Sequence, residues 1–394
     1  MPIHSSSSVV AGVVSATRLA VGGAAGWGAG RRLAATVVAL LSGVVAVAEG
    51  QAPASAAGSV SRSGAPERYT LVGREVAIYN VAGQVRLVAG TGREVVVDVT
   101  RRGRDAGAMH VAQGPIRGRE ALRVWMPAGR VVYPALGRWT RTTVRVRDDG
   151  TFGDGDGAWR GRGVEIRASG DGAEAWAELA VAVPVGQRVV VHLAAGEATA
   201  INVDGDLVLD VQAAAVRTER TRGRLQVDAG SGRLAVRDAE GEVTLDSGSG
   251  RVELDDVRAG RLRLDVGSGA VVGRRISAAS LELDAGSGSV RLAEVRSRTL
   301  RVDTGSGDVD LGFADDVDDV RIDAGSGAVT LRVPPVLGAE VAVETGSGGI
   351  QVRVPMVIAE QRRDRLSGQI GDGRGRIAID GGSGEIRLVP ASDR

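Results

Sequence analysis

Hydrophobic and polar residues alternate along most of the chain, most strictly in its second half. In the representative unit LELDAGSGSVRL the apolar side chains are Leu281, Leu283, Ala285, Val290 and Leu292. A period of two residues is typical of β-strands with one buried face. Each unit therefore predicts two short strands joined by a Gly-Ser-Gly corner, where glycine allows backbone conformations that a Cβ atom would hinder.

The Gly-Ser-Gly triplet recurs eight times between residues 225 and 388. Successive triplets are 18, 19, 19, 19, 20, 21 and 36 residues apart, and their first glycines are Gly230, Gly248, Gly267, Gly286, Gly305, Gly325, Gly346 and Gly382. Such a repeat indicates units that stack, because no single unit can bury its own apolar face. We predict an all-β solenoid of ~19-residue coils, with about two coils in the last interval. A repeated hairpin meander is the alternative fold.

An acidic residue stands two positions before each triplet: Asp228, Asp246, Asp265, Asp284, Asp303, Asp323, Glu344 and Asp380. In stacked coils these carboxylates would form one acidic ladder with a spacing of ~4.8 Å. The repeat differs from the nine-residue glycine-rich repeats that bind calcium, so we expect a structural role. Each carboxylate would accept hydrogen bonds from the amides of the following corner, offsetting a repulsion of ~0.9 kcal/mol between neighbours.

The N-terminal region differs from the repeats. The pair Arg31-Arg32 precedes an apolar run of 16 residues that ends at Ala48. This order is typical of an export signal, so we expect residues 1–56 to be a signal peptide with an N-terminal extension, cleaved after Ala48 or Ala56. The mature protein would then have no stable membrane span. An uncleaved anchor is the alternative, although the run is shorter than the roughly 20 residues that cross a bilayer.

The mature chain divides into three predicted parts. Residues 57–100 carry a weaker form of the repeat and predict the first β coils, and residues 166–394 predict the main solenoid. Between them, residues 101–165 form an irregular insert rich in arginine and aromatic residues. Residues 101–162 hold thirteen Arg against six Asp and Glu, which gives 13 − 6 = +7, whereas the net charge of the whole chain is +1.

The insert supplies the candidate ligand-binding residues, because loops on a rigid scaffold are where binding residues concentrate. They are Trp125, Tyr133, Arg138, Trp139, Arg141 and Trp159. Aromatic rings can stack on sugars, and arginine can hold anionic groups through forked hydrogen bonds. We expect partners among envelope glycans, anionic surface polymers or envelope proteins. The alternative is that the three tryptophans plug the open end of the solenoid as a cap.

Other functions find little support in the sequence. The 49 basic and 48 acidic residues nearly cancel, so no attraction to nucleic acid follows. Three histidines, with His4 in the predicted signal, do not suggest a metal cluster, and Ser247 lies in a frame that recurs without a paired histidine. We therefore expect no catalytic, cofactor-binding or metal site. The one enzyme alternative is a polysaccharide-cleaving β-helix, with carboxylates gathered on one face.

Three features resemble a known family: the segment from Val76 to Leu87, the sequence RDDGTFGD at 147–154, and the run of Asp-x-Gly-Ser-Gly-x-Val-x-Leu units. Over residues 69–388 the chain is similar to the bacterial β-strand-repeat family of candidate adhesins, which is related to the toast-rack domains of envelope proteins. The resemblance implies an exported, non-enzymatic protein in the periplasm, at the cell surface or outside the cell. We expect a binding or adhesin-like module; a passive scaffold or spacer of the envelope is the alternative.

Overall fold

The computed structural model describes residues 64–138, 140–153 and 161–392. The predicted signal at residues 1–56, Trp139 and Trp159 therefore lie outside the described residues. Apart from one 3-10 turn at Ala106–Ala108, the regular elements in the described ranges are β-strands. None of the described residues belongs to a helix with the length and apolar character of a membrane span.

The strands are numbered in chain order. They are β1 Glu67–Leu71, β2 Glu75–Ala89, β3 Val95–Arg102, β4 His110–Ile116, β5 Arg119–Trp125, β6 Arg130–Val132, β7 Arg141–Val146, β8 Arg162–Arg167, β9 Ala173–Glu174, β10 Trp176–Val183, β11 Gln187–Ile201, β12 Gly205–Ser231, β13 Leu234–Ser247, β14 Val252–Val266, β15 Val271–Ala285, β16 Val290–Thr304, β17 Val309–Phe313, β18 Asp319–Ala324, β19 Val329–Val333, β20 Ala339–Thr345, β21 Ile350–Val352, β22 Val357–Gln361, β23 Arg365–Ile370, β24 Gly375–Gly381 and β25 Ile386–Pro390.

Strands β11 to β16 form a solenoid of parallel coils. The register is displaced by one repeat from strand to strand, so Val252 lies beside Val271 and Val271 beside Val290. Within a coil, the Gly-Ser-Gly corner joins a first segment to a second. The chain then bends at a residue with positive φ, such as Arg275 (52°) or Glu294 (56°), and enters the next coil. The predicted all-β solenoid is confirmed, and the hairpin meander is wrong.

The core lies between the first and second segments of the coils. In the representative repeat, Leu281, Leu283 and Ala285 of the first segment and Val290 and Leu292 of the second are at most 2% exposed. Burial of each large aliphatic side chain stabilises a fold by about 1.5–3 kcal/mol. Most of the equivalent positions in the other coils are also apolar and buried, with exceptions such as Gly273 opposite Leu292, so the apolar core continues along the solenoid axis.

Hydrogen bonds between neighbouring coils hold the corners. The N–H of Ser268 donates to the carbonyl of Gly248 at 3.0 Å, and the N–H of Ser287 donates to the carbonyl of Gly267 at 3.0 Å. The predicted hydrogen bonds from corner amides to the acidic ladder are therefore wrong. The amides point along the stack to the preceding corner, where carbonyl groups accept from them.

The last coil in the chain is not the last in space. Strand β24 lies between β18 and β20, so Asp380 pairs with Asp323 on one side and with Glu344 on the other. Strand β25 lies between β19 and β21 in the same way. The interval of 36 residues is therefore not two successive coils. The chain builds an outer coil, adds the antiparallel strands β22 and β23, and returns to insert its C-terminal coil inside.

The other end of the solenoid is closed by antiparallel strands. The hairpin of β4 and β5 caps it through parallel pairing of β5 with β2. Of the predicted first coils, β2 is a true coil strand, whereas Val95, Val97 and Val99 lie in β3, which runs antiparallel to β1 and β10. The predicted first coils therefore mix coil and cap strands.

The insert predicted to be irregular contains regular strands. It includes β4 to β7 and the start of β8, and its second part belongs to a four-stranded sheet in the order β7-β8-β6-β9, which we call the side sheet. The side sheet lies against the solenoid, where Thr143 of β7 accepts a hydrogen bond from the side chain of Gln212 in β12.

Candidate functional site

A tight loop at residues 147–153, which we call the motif loop, attaches the side sheet to the solenoid. The Asp149 carboxylate accepts hydrogen bonds from the Thr151 N–H at 2.9 Å and from its hydroxyl at 2.7 Å. Although burial opposes the shift, these bonds and the guanidinium groups of Arg123 and Arg147 hold the pKa of Asp149 below its usual value. The loop is thus held by its own charged hydrogen bonds.

Two glycines let the motif loop approach its neighbours closely. A Cβ atom on Gly150 would lie 2.5 Å from the ring of Trp125, and one on Gly153 would lie 2.6 Å from Asp210 Oδ2 and 2.9 Å from His192 Nδ1. Both glycines have positive φ, of 85° and 81°. Both positions therefore require glycine, because a side chain would clash with the neighbouring residues and because positive φ disfavours other residues.

Aromatic rings fix the motif loop to the first coils. The Phe152 ring meets Tyr79 edge-on, with centroids 5.7 Å apart. Tyr79 in turn stacks on His192, with centroids 4.4 Å apart and planes 9° from parallel. His192 Nδ1 lies 2.8 Å from Asp210 Oδ2. These successive contacts connect the motif loop with β2, β11 and β12.

The acidic ladder forms on the outer face of the first segments, and it is longer than the eight predicted positions. Asp210 occupies the same position one coil before Asp228, and His192 pairs with Asp210 at the end of the ladder. At the opposite end Arg365 pairs with Glu344, and its Nη2 lies 3.0 Å from Glu344 Oε1. In spatial order the ladder is Asp210, Asp228, Asp246, Asp265, Asp284, Asp303, Asp323, Asp380 and Glu344.

Burial and mutual repulsion shape the electrostatics of the ladder. Partial burial and the carboxylates of Asp210 and Asp246 raise the pKa of Asp228 to about 6, although its side chain still reaches solvent. Burial and adjacent carboxylates also raise the pKa of Asp246, Asp284 and Asp323. Hydrogen bonds from corner amides would have lowered these values. The pKa directions therefore agree with the coil-to-coil bonding of the corners.

A cleft of about 410 Å³ separates the side sheet from the first carboxylates of the ladder. Its walls carry charges of both signs, with Arg145 from β7 and with Asp210 and Asp228 from β12. Gln212 crosses from the solenoid to β7, where its Nε2 donates to the carbonyl of Thr143 at 3.2 Å. The cleft therefore presents a guanidinium group, two carboxylates and the backbone of β7 to a ligand.

A model of the family described as Toastrack DUF4097 matches residues 178–389, more than half of the chain. The chain belongs to this Toastrack family. This match confirms the resemblance carried by the repeats. No curated protein matches the chain. Among solved structures it is similar to a candidate cell adhesion protein from Clostridium sporogenes at 9% identity, covering 82% of this chain and 99% of that chain with a TM-score of 0.17, which is too low to support an argument.

Two of the predicted site residues of this Toastrack protein pack inside the fold. Trp125, at the end of β5, is half-buried and meets the His110 ring edge-on, with centroids 5.1 Å apart. Tyr133 is 3% exposed, and its ring centroid lies 5.7 Å from that of Trp176. Tyr133 is buried and Trp125 is half-buried, so both rings contribute to the attachment of the insert.

Arg138 and Arg141, the two other predicted site residues within the described ranges, are exposed. Arg141 belongs to a cluster in which three guanidinium groups surround Glu165, with nitrogen-to-oxygen distances of 3.5 Å from Arg141, 3.7 Å from Arg130 and 2.8 Å from Arg167. The hydrogen bond from Arg167 lowers the pKa of Glu165. One carboxylate cannot neutralise three guanidinium groups, so this part of the side sheet keeps a positive charge.

The sequence interpretation missed Arg145, His192, Asp210 and Gln212. His192 and Asp210 lie 36 and 18 residues before Asp228, so extending the Toastrack repeat backwards would have found both. Arg145 and Gln212 have no comparable signal. They line one cleft only because β7 lies beside β12, which the spacing of residues does not indicate.

Proposed function

We propose that this protein is an exported, non-enzymatic binding module of the cell envelope or surface, and that its side sheet is the recognition surface. The observation that carries this proposal is a group of exposed arginines on one sheet. Strand β7 exposes Arg141, Thr143 and Arg145 at alternate positions, about 7 Å apart, and Arg138 is exposed just before it. Several guanidinium groups on one surface suit a polymer with repeated anionic groups.

The side sheet is an addition that the solenoid does not need for its own core. Coils β12 to β16 bury their apolar faces against one another without it. The surplus of positive charge around Glu165 is also local, since the whole chain is nearly neutral. Both facts favour a ligand that is anionic, such as an acidic envelope glycan or surface polymer, over a neutral one.

The test compares two pairs of arginines. In the double variant Arg138→Gln/Arg141→Gln, the recognition surface loses two charges. In the control Arg296→Gln/Arg301→Gln, the solenoid loses two exposed arginines away from the side sheet. The purified chains are measured by biolayer interferometry against immobilised polygalacturonate, against neutral dextran and against an envelope fraction of the native host.

We expect salt-sensitive binding to the acidic polymer and to the envelope fraction, at least about fivefold weaker for the side-sheet variant and unchanged for the control. Equal weakening by both pairs would indicate nonspecific charge attraction. A wild-type chain that binds neither the acidic polymer nor the envelope fraction would favour the passive scaffold instead. The uninterrupted stack of coils is the observation that supports that second function.

A further inference from the structure

We propose that the cleft between β7 and the acidic ladder binds an extended peptide, which pairs with the open edge of β7 and places a lysine or arginine side chain against Asp228. The proposed occupant is a segment of a partner protein. This site shares only Arg145 with the anionic-polymer surface proposed above, and it otherwise uses the backbone of β7 and the carboxylates of β12.

Strand β7 has an open edge. In the order β7-β8-β6-β9, β7 is a terminal strand and pairs only with β8. The Thr143 carbonyl accepts from Gln212 of the solenoid, so the backbone groups of Thr143 point away from β8. In an antiparallel pair this direction alternates, so the backbone groups of Arg141 and Arg145 point to the same side.

The Gln212 side chain occupies the position that a backbone N–H of an added strand would take. Its side-chain amide is chemically like a backbone amide, and it donates to the Thr143 carbonyl where the N–H of an added strand would donate. Within the described ranges, no other hydrogen bond to the edge groups of Thr143 and Arg145 is present. The Gln212 side chain is exposed and can be displaced, which leaves a strand edge of the kind that peptides extend.

The charge of the ladder favours a basic side chain in the cleft. Asp210 is engaged by His192, whereas no cationic side chain among the described residues forms an ion pair with Asp228. Asp228 stands between two other carboxylates, and their repulsion, together with partial burial, raises its pKa. A basic side chain placed there would relieve this repulsion. Arg145 on the opposite wall can donate to a carbonyl of the same peptide.

The volume of the cleft is sufficient for a short segment. At about 410 Å³ it falls within the usual range for binding sites, roughly 300–1,000 Å³. Side chains of an extended peptide alternate between two faces, so one basic residue can face Asp228 while its neighbours face away. The ligand class is therefore a strand-forming segment with a single basic residue flanked by β-branched residues.

The probe is the fluorescein-labelled peptide Thr-Val-Thr-Val-Lys-Val-Thr, measured by fluorescence anisotropy with the purified full chain near neutral pH. Two matched peptides replace Lys by Glu, or carry N-methyl groups on alternate amides to block strand pairing. The protein variants are Asp228→Asn, which removes the charge in the cleft, and Asp284→Asn, which removes an equivalent ladder charge outside it.

We expect the lysine peptide to bind with a Kd below about 1 mM, and to lose about tenfold in affinity with Asp228→Asn and less than about twofold with Asp284→Asn. The glutamate and N-methylated peptides should bind at least about tenfold more weakly. The proposal is overturned by undetectable binding of the lysine peptide, by equal binding of the glutamate peptide, or by equal effects of the two variants. Self-association that Asp228→Asn abolishes would identify a second copy as the occupant and also overturn it.

The polymer proposal is tested separately. Arg138→Gln/Arg141→Gln should weaken polymer binding while leaving peptide affinity within about twofold, and Asp228→Asn should do the reverse. Loss of one activity without the other therefore shows which proposal has failed. Arg145 contributes to both surfaces and is left unchanged in these variants.

Discussion

Asp323 and Asp380 lie side by side in neighbouring parallel strands, although the whole coil that contains Glu344 separates them in the chain. The C-terminal coil is thus held between two coils synthesised before it, with ladder hydrogen bonds on both edges. An internal position for the last element makes the end of the solenoid depend on the final residues of the chain.

We predict that deletion of residues 371–394 destabilises this end of the solenoid severely. The deletion removes four side chains that are at most 2% exposed: Ile377, Ile379, Ile386 and Leu388. At about 1.5–3 kcal/mol each, they amount to roughly 6 kcal/mol or more, comparable with the stability of a typical domain. Hydrogen exchange should show lost protection in β20 and β21 before β14 and β15 are affected.

Adding the missing coil in trans provides the control. A synthetic peptide of residues 371–394 should insert into the gap and raise the melting temperature of the truncated chain, with the logarithm of its concentration once it is in excess. The same peptide with Ile379→Asp should not, because a buried charge would replace a core side chain. A truncated chain with the melting temperature of the full chain would show that the inserted coil contributes little.

The corner glycines provide the next prediction. A Cβ atom on Gly288 would lie 1.7 Å from the carbonyl oxygen of Gly269, whereas one on Gly260 would meet no atom within 4 Å. Gly288→Ala should therefore lower the free energy of unfolding by about 3 kcal/mol or more, and Gly260→Ala should change it by less than about 1 kcal/mol. Urea denaturation of both variants checks this, and equal effects would contradict close packing of the corners.

The strands and their stacking could be predicted because both follow from local spacing. Leu281 and Leu283 alternate with polar residues, and the same phase returns after each corner. The insertion of β24 could not be predicted, because the coils of Glu344 and Asp380 carry equivalent patterns and either could be outermost. The cleft was missed for a similar reason: the contact of Gln212 with Thr143 depends on how the side sheet folds back, and no repeat encodes it.

Attachment of the motif loop can be tested at Gly153. Gly153→Ala would place a methyl group against the His192–Asp210 pair, at a φ of 81°. The matched control is Gly186→Ala, which has a similar φ of 75° and no atom within 4 Å of the added Cβ. Both variants carry the conformational cost of about 1–2 kcal/mol. Only Gly153→Ala should also speed hydrogen exchange in β7, and equal exchange in both variants would place the attachment elsewhere.

The acidic ladder predicts an unusual dependence of stability on pH. Burial and neighbouring carboxylates raise the pKa of Asp228 to about 6 in the folded protein, and they also raise the pKa of Asp246, Asp284 and Asp323. A raised pKa means that the folded state binds more protons than the unfolded state over this interval. Stability should therefore fall as the pH rises from about 4 to about 6, and it should be regained on acidification.

The carboxylates of Asp149 and Glu165 have lowered pKa values. Protonation of these groups therefore destabilises the fold only when the pH falls below about 4, the ordinary pKa of a carboxyl group. Between pH 5 and pH 7 these two carboxylates remain charged, so they do not change the stability of the fold in this interval. We accordingly expect a melting temperature several degrees higher at pH 5 than at pH 7. Asp228→Asn should raise the value at pH 7 and reduce the difference. A melting temperature that rises from pH 5 to pH 7, or a difference between these pH values that Asp228→Asn leaves unchanged, would contradict mutual repulsion in the ladder, because raised carboxylate pKa values give the opposite slope.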